Sequence, residues 1–238
     1  MAHAFRFYIA PDSPIADEVA LPPDEAHHAL HVARVQVGDA VTLFDGQGRE
    51  WDGRVANATR RDAVIAIGPV REVPRPRWRL TLAQAWIKRD KAIESIIQRG
   101  TELGVGRFSF FPATHSERKP HGEEKWLKYA IESCKQCGRA WLPAFDVAES
   151  LEGALQNSRG AVILATKDEA PTALRDAVTG SEVTLLVGPE GDFTAEERAA
   201  ALRHGAKAVS FGSVTYRSEA AAILGATLIL RELGEFGA

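Results

Sequence analysis

The stretch Val183-Thr-Leu-Leu-Val-Gly-Pro-Glu-Gly-Asp-Phe-Thr-Ala-Glu-Glu197 decides the fold of this chain. Its first five residues form an apolar run that predicts a strand buried on both faces, as in a parallel sheet covered by helices. The Gly-Pro-Glu-Gly segment predicts turns, and Thr194 with Glu197 forms a capping box that predicts the start of a helix. This succession of strand, glycine loop and helix indicates an α/β fold.

Strands and helices continue to alternate on both sides of this stretch, from residue 74 to the end of the chain. Further strands are predicted at Leu80–Trp86, Phe108–Phe111, Ala161–Thr166 and Ala208–Phe211, and a last helix at Ser218–Leu233. Before residue 74, one helix at Pro23–Arg34 and β-rich stretches predict a small β-barrel, the stretches being Phe5–Ile9, Ala40–Phe44, Glu50–Thr59 and Ala63–Val70. The patterns meet at Arg71-Glu-Val-Pro-Arg-Pro-Arg77, where prolines favour an extended linker. We therefore expect two domains, over residues 1–73 and 74–238.

Composition excludes several classes of protein. With 45% hydrophobic and 26% charged residues, the 238-residue chain can bury a core, so it is not disordered, collagen-like or a coiled coil. Its longest apolar run, Ala220–Leu230, has 11 residues, whereas a membrane-spanning helix needs about 20. The first residues carry no pattern of a secretory signal. We therefore expect a cytoplasmic protein without a membrane segment.

The net charge of −3 is unevenly distributed. Residues 1–142 contain 21 Lys and Arg against 18 Asp and Glu, whereas residues 143–238 contain 8 against 14. A chain that meets a polyanion with its first part would show this distribution.

Neither the cysteines nor the clustered histidines have the partners that a metal site needs. Cys134 and Cys137 lie within a predicted helical stretch, without the second ligand pair that zinc requires. His27, His28 and His31 have helical spacing but no accompanying carboxylate or cysteine ligands. We predict no metal ion and no disulfide framework.

Three loops each follow the carboxyl end of a predicted strand, where open α/β sheets bind ligands. They are Leu164–Glu169, Val187–Phe193 and Phe211–Glu219, and glycines at 188, 191 and 212 let backbone approach a ligand closely. The chain has neither a P-loop motif nor a complete GxGxxG motif, which argues against a P-loop nucleotidase and a Rossmann oxidoreductase. Each loop alone is compatible with a structural turn, but the three together predict one ligand pocket.

Several motifs occur in a fixed order along the chain. They are His28-Ala-Leu-His-Val-Ala-Arg34, Lys88-Arg-Asp-Lys-Ala-Ile-Glu-Ser-Ile-Ile-Gln-Arg-Gly-Thr-Glu-Leu-Gly-Val105, Gly188-Pro-Glu-Gly-Asp-Phe193 and Phe211-Gly-Ser-Val-Thr-Tyr-Arg-Ser-Glu-Ala-Ala221. On these motifs the whole chain resembles the SPOUT class of RNA methyltransferases and, within it, the ribosomal RNA small subunit methyltransferase E family. The chain departs from the family pattern at Asp192, where a second glycine is usual, and in the third loop at Val214, Thr215, Tyr216 and Ala220.

The resemblance implies a fold, an activity and partners. It implies a C-terminal SPOUT α/β domain with a deep trefoil knot, a rare exception to unthreaded chains, and an N-terminal PUA-like small β-barrel that binds RNA. It also implies methylation of N3 of a uridine in 16S ribosomal RNA of the small ribosomal subunit, by a homodimer that uses S-adenosylmethionine (SAM). The cofactor contacts implied for the three loops are Leu164, Ala165, Thr166, Val187, Gly188, Pro189, Glu190, Gly191, Phe211, Gly212, Ser213, Val214, Tyr216, Arg217 and Ala221.

The chemistry of this reaction selects three charged candidates. N3 of uridine has no free lone pair until its proton leaves, so a cation near O2 or O4 stabilises the anionic base. We expect Arg217 to supply that cation, because a guanidinium forks onto carbonyl or phosphate oxygens. Glu190 and Glu219 could accept the proton or orient an arginine or a ribose hydroxyl, and we favour the orienting role for Glu219.

Basic residues outside the loops are candidates for RNA binding. In the predicted helix Lys88–Gly104, Ile93 and Ile97 share one face, and Lys91 and Arg99 lie on nearly the opposite one. Such a stripe is usually a solvated helix face, but phosphate binding needs a cluster of this kind. The predicted RNA contacts are Arg6, His28, His31, Arg34, Lys88, Arg89, Lys91, Arg99, Arg118 and Arg139.

Two other functions stay open. A SPOUT enzyme could act on another RNA, such as transfer RNA, or on a ribose 2′-OH. Alternatively, the chain could be an RNA-binding ribosome assembly factor whose cofactor pocket has decayed, and the departures at Val214, Tyr216 and Ala220 keep this hypothesis open. Saturable SAM binding distinguishes an enzyme from a decayed binder.

Overall fold

The computed structural model describes residues 5–117, 123–167 and 172–236, and the chain divides into two units. The first unit comprises the residues up to Arg75 together with Ile131–Leu142, and the second comprises Pro76–Ala130 and the residues from Pro143 onward. Each unit has its own hydrophobic core. Within the described ranges, no helix has both the length and the apolar character needed to cross a membrane.

The first unit is built on a five-stranded sheet. Its strands are β1 (Phe5–Tyr8), β2 (Glu18–Ala20), β3 (Ala40–Phe44), β4 (Arg49–Ala58) and β5 (Ala63–Glu72), in the spatial order β1-β3-β4-β5-β2. β1 runs parallel to β3, and the other neighbouring strands are antiparallel. Phe7, Leu43 and Ile65 are buried in the core of this unit, on the inner face of the pleated strands.

The predicted helix Pro23–Arg34 is divided into two parts. Regular α-helix covers α1 (Pro23–His27), and the chain continues as a wider π-helical turn over His28–Ala33. Arg34 ends this turn with a φ of 56°, a conformation that residues other than glycine seldom adopt. His27 and His31 are exposed, and their ring centroids lie 4.7 Å apart.

Residues 131–142 pack with the first unit, although the sequence predicts a first domain that ends at residue 73. The indole Nε1 of Trp141 donates hydrogen bonds to the carbonyls of Val73 (2.9 Å) and Pro74 (3.2 Å). Lys135 is buried between Glu25 and Glu132, with Nζ–O distances of 3.2 Å and 3.0 Å. Most of these contacts join residues far apart in the chain, so local composition does not reveal them.

The second unit is built on a six-stranded sheet. Its strands are β6 (Arg79–Ala85), β7 (Arg107–Phe111), β8 (Ala144–Val147), β9 (Ala161–Thr166), β10 (Glu182–Val187) and β11 (Lys207–Ser210), in the spatial order β11-β9-β10-β6-β7-β8. Every neighbouring pair is parallel, which confirms the parallel sheet predicted from the apolar run Val183–Val187. The helices that follow α1 along the chain are α2 (Asp90–Leu103), α3 (Trp126–Cys137), α4 (Leu151–Gln156), α5 (Leu174–Ala177), α6 (Ala195–Arg203) and α7 (Ser218–Glu232).

Two short strands have no counterpart among the predicted elements. β2 has three residues and β8 has four, and both lie at the edge of a sheet. Of their residues only Val19 is buried. Strands of three and four residues are too short to show the apolar run or the alternation over four to eight residues by which a sequence predicts a strand.

The parallel arrangement determines where a ligand can bind. Because all six strands run in one direction, their carboxyl ends lie along one edge of the sheet. β9 lies between β11 and β10, so the loops that follow these three strands are neighbours at that edge.

Candidate functional site

A cavity of about 400 Å³ opens at the carboxyl ends of β9, β10 and β11. All three loops predicted from the sequence contribute to its lining. The predicted cofactor contacts that line it are Ala165, Thr166, Val187, Gly188, Pro189, Glu190, Phe211, Gly212, Val214, Tyr216, Arg217 and Ala221. Loops that are distant in sequence therefore converge on one cavity of the size that small ligands occupy.

The remaining predicted cofactor contacts lie elsewhere. Leu164 is buried inside β9 and packs into the core of the second unit. At Gly191, a Cβ would lie 2.8 Å from the Cβ of His115, so this glycine makes room for the loop after β7. Ser213 is exposed and does not line the cavity. Asp168 and Glu169, the end of the first predicted loop, lie outside the described residues.

The second loop depends on close backbone packing and on its own hydrogen bonds. A Cβ at Gly188 would lie 3.2 Å from the ring of Phe193, which is closer than most side-chain contacts. Asp192 has a φ of 63°, the left-handed conformation that favours the glycine usual in the family pattern. Its carboxylate accepts hydrogen bonds from the backbone N–H of Phe193 (2.8 Å) and from Arg198 (3.2 Å). These bonds let an aspartate occupy this position.

A capped helix follows this loop. The hydroxyl of Thr194 accepts from the backbone N–H of Glu197 (3.1 Å), and Glu197 accepts from that of Thr194 (2.8 Å). This confirms the predicted capping box at the start of α6. Glu197 also accepts from the backbone N–H and the hydroxyl of Thr114. Partial burial disfavours the charged carboxylate, but the hydrogen bonds outweigh burial and lower the pKa of Glu197 from its ordinary value.

The third loop places three of its four departures from the family pattern, Val214, Thr215 and Tyr216, on the cavity lining. Val214 and Tyr216 line the cavity and are 58% and 39% exposed, whereas Ala220 does not line it. Gly212 has a φ of 144°, and a Cβ there would lie 3.3 Å from the hydroxyl of Tyr216. Tyr216 therefore packs against the backbone of its own loop.

Charged side chains of both signs line the cavity. Arg217 is exposed there, and it contacts no carboxylate of the described residues. Glu219 pairs with Arg89, which precedes α2, at 2.6 Å, and Glu190 accepts a hydrogen bond from the backbone N–H of Lys88 at 3.0 Å. Glu190 and Glu219 therefore both contact the turn formed by Lys88 and Arg89.

The basic face predicted for α2 is present in the second unit. Ile93, Ile96 and Ile97 are buried, and the exposed cations are Lys88, Arg89, Lys91 and Arg99. Arg89, the N-cap residue of α2, lines the cavity. Arg118 lies outside the described residues.

The RNA contacts predicted for the first unit differ in accessibility. His31 and Arg34 are exposed, whereas His28 is half-buried, with its ring at an angle of 75° to that of Phe7. The side chain of Arg6 is only 13% exposed and pairs with the buried Glu50 at 2.7 Å. It also donates to the backbone carbonyl of the half-buried Arg139. A phosphate that binds Arg6 must therefore compete with Glu50.

Some cavity residues are missing from the sequence prediction. Four of them lie within the predicted loops, so their position in a loop is the signal that could have identified them. These are Lys167, Asp192, Thr215 and Ser218. Gln84 contacts two lining residues from inside the core, and its signal is a polar residue in an apolar strand.

The cysteine and histidine patterns supply no comparable chemistry. Burial raises the pKa of the Cys134 thiol to about 12, so its reactive thiolate is disfavoured at neutral pH. Cys137 is exposed. In the part of the chain that the structure describes, no group of three His, Cys, Asp or Glu side chains is placed to hold a metal ion.

Comparison with protein families assigns both parts of the chain. Residues 74–230 match the RNA methyltransferase domain model, and residues 21–68 match the RNA methyltransferase PUA domain model. The first match covers more than half of the chain.

Individual relatives are similar over most of their length. The chain is 31% identical over 222 residues to ribosomal RNA small subunit methyltransferase E of Mycobacterium bovis, covering 87% of this chain and 84% of the relative. A Legionella pneumophila protein assigned as a methyltransferase, solved with bound SAM, is 26% identical with a TM-score of 0.88, over 97% of this chain and 98% of that one.

A third likeness concerns the fold alone. Ribosomal RNA small subunit methyltransferase E of Neisseria gonorrhoeae is 24% identical, with a TM-score of 0.89 over 99% of this chain and 100% of that one. These likenesses confirm the expected α/β fold of SPOUT type with a PUA-like N-terminal part, while the trefoil knot stays a prediction. Because residues 74–230 match the RNA methyltransferase domain model and the chain is 31% identical to the M. bovis relative over 84% of its length, it belongs to the ribosomal RNA small subunit methyltransferase E family.

Proposed function

We propose that this chain is a SAM-dependent methyltransferase that methylates N3 of a uridine in the 16S ribosomal RNA of the small ribosomal subunit. The observation that carries the proposal is the convergence of three loops on one cavity, in a chain of this family. The L. pneumophila structure contains SAM, and the M. bovis relative is named for small-subunit ribosomal RNA.

The size and lining of the cavity fit SAM. Its volume of about 400 Å³ lies within the range of about 300–1,000 Å³ typical of small-molecule sites. Val187, Phe211 and Ala221 offer apolar surface to a flat base, while the backbone at Gly188 and Gly212 is open to close approach. When bound, SAM supplies a methyl group on a positively charged sulfur. The carbon of that methyl group is the atom that an electron-rich nitrogen attacks.

Arg217 is the residue that we assign to the uridine. N3 gives its proton to solvent, and the negative charge of the resulting anion spreads onto O2 and O4 of the base. N3 then forms a bond to the methyl carbon while the carbon–sulfur bond breaks, and the sulfur leaves as the neutral thioether of S-adenosylhomocysteine. The exposed guanidinium of Arg217 on the cavity lining can pair with one of these oxygens. We assign orienting roles to Glu190 and Glu219, because both are already bonded to the turn that carries Arg89.

The basic face of α2 is the proposed path of the RNA backbone in the second unit. Lys91 and Arg99 are exposed on this face, and Arg89 continues it to the cavity. Phosphates that flank the target nucleotide can therefore bind these cations while the target base lies in the cavity.

We further propose that residues 1–73 act as an RNA-binding PUA-like domain and residues 74–238 as the methyltransferase domain with the trefoil knot. His31 and Arg34 are the exposed candidates for RNA contact in the first unit. A cytoplasmic homodimer completes the proposal, and sedimentation of the purified chain tests the dimer.

Methyl transfer to ribosomal subunits tests the proposed function. The purified chain is incubated with labelled SAM and small subunits that lack base methylation, or with naked 16S RNA. The product is then mapped by nuclease digestion and mass spectrometry. We expect 3-methyluridine at one site.

Other results would replace parts of the proposal. A methyl group on a ribose, or transfer to transfer RNA alone, would change the substrate. The absence of both transfer and saturable SAM binding would favour an RNA-binding assembly factor.

A further inference from the structure

Gln84 is a polar side chain with no solvent exposure, in the otherwise apolar end of β6. Its Nε2 has two hydrogens and lies within hydrogen-bond distance of three acceptors, the carbonyl of Ala85 (2.9 Å), the hydroxyl of Ser218 (2.9 Å) and, as the longest and shared bond, the carbonyl of Gly188 (3.3 Å). Its Oε1 is buried and has no hydrogen-bond partner among the described residues. An unsatisfied buried oxygen is unfavourable. The hydrogen bonds donated by the amide nitrogen are therefore what favours glutamine over an apolar side chain at this position.

The surrounding oxygens determine the orientation of this amide. The Ser218 hydroxyl donates its own hydrogen to the carbonyl of Gly188 at 2.5 Å, so towards Gln84 it acts as an acceptor. The two carbonyls are acceptors as well. The reversed orientation would place Oε1 against three oxygens, so only the amide nitrogen is compatible with this position.

Two of the bonded groups belong to different parts of the proposed active site, the second loop and the start of α7. Gly188 begins the second loop, and Ser218 is the first residue of α7, directly after Arg217. Both residues line the cavity. The Gly188 carbonyl receives hydrogen bonds from Gln84 and from Ser218, so one carbonyl joins β6, the second loop and the start of α7.

We propose that Gln84 is a positioning residue for methyl transfer. Its amide nitrogen holds the second loop and the turn that carries Arg217 at a fixed spacing, so that the cofactor surface and the guanidinium are set together. The inference rests on the proposed function, because SAM binding and methyl transfer are the properties that Gln84 would affect.

Variants of Gln84 test this inference through SAM affinity and turnover. For Gln84→Met and Gln84→Glu we expect the SAM Kd to weaken about tenfold and turnover at saturating SAM to fall about tenfold, with Glu the worse, since it adds an oxygen facing three others. The matched control is Thr184→Val on the adjacent β10, a buried hydroxyl bonded to the backbone of Arg159. It should lower the Tm and leave Kd and turnover unchanged.

A second variant acts on the same carbonyl from the other side. Ser218→Ala removes one donor to the Gly188 carbonyl, and its losses should not add to those of Gln84→Met in the double variant. If the Gln84 variants lower the Tm but keep the wild-type Kd and turnover, or if the losses add fully, the inference is wrong.

Two further outcomes are also decisive. If Gln84→Met does not fold, the test rests on Ser218→Ala. An unchanged SAM Kd and unchanged turnover in that variant would overturn the inference, and a weaker Kd together with a lower turnover would support it. A wild-type chain that binds no SAM would instead contradict the proposed function, so the two failures are distinguishable.

Discussion

At the residue scale, the two arginines of the cavity differ in their partners. Arg89 is paired with Glu219, whereas Arg217 contacts no carboxylate of the described residues and is exposed on the lining. The charge of the Arg89 guanidinium is neutralised by the carboxylate of Glu219. The charge of Arg217 is available to pair with an oxygen of the substrate. We therefore expect Arg217 to stabilise the charge on the base and Arg89 to guide the substrate.

Replacement of Arg217 tests this assignment. Arg217→Ala should lower turnover at saturating SAM by about 100-fold or more, because it removes a cation from the developing charge on the base. The SAM Kd and the Tm should change little. Arg217→Lys should recover part of the rate, since it keeps the charge but not the forked geometry. Equal losses in turnover and SAM affinity would refute the assignment.

At the element scale, α2 combines a buried apolar face with an exposed basic one. If this face binds RNA phosphates, Arg99→Glu should weaken RNA binding and reduce the slope of log K against log salt concentration by about 1. SAM binding should be unchanged. The matched control is Arg203→Glu, an identical charge reversal at an exposed position near the end of α6. The same loss in both variants would indicate a general charge effect and not a binding face.

The capping box of α6 makes the stability of the second unit depend on pH. The pKa of Glu197 is lowered in the folded state, so its stabilising contribution is present above its ordinary pKa of 4.5 and is lost as the pH falls through the lower folded value. Glu197→Gln should therefore destabilise the chain at pH 7, and the difference in Tm from the wild type should shrink below about pH 4.5. Glu196→Gln, at an exposed neighbouring position, should show neither effect. A difference in Tm that is constant with pH would contradict the assigned role of Glu197.

At the scale of the whole molecule, local patterns predicted the elements well and their long-range contacts poorly. β3 and β9 have the predicted limits, because β-branched and apolar runs are bounded by polar or turn residues. The loops after β9, β10 and β11 were predicted as one pocket because parallel strands end at the same edge. The position of Arg89 at the cavity, the contacts of Gln84 and the packing of residues 131–142 were not predictable, since each depends on partners that only the folded chain brings together.

Titration of the purified chain with SAM by calorimetry tests the central claim most directly. We predict one saturable site per chain, retained in Arg217→Ala and lost in Gly188→Val, where a branched side chain would enter space already limited by Phe193. Gly153→Val in α4 is the control, because a Cβ there has no neighbour closer than 3.6 Å. No saturable binding by the wild type, or equal affinity in wild type and a folded Gly188→Val variant, would contradict the placement of the cofactor in this cavity.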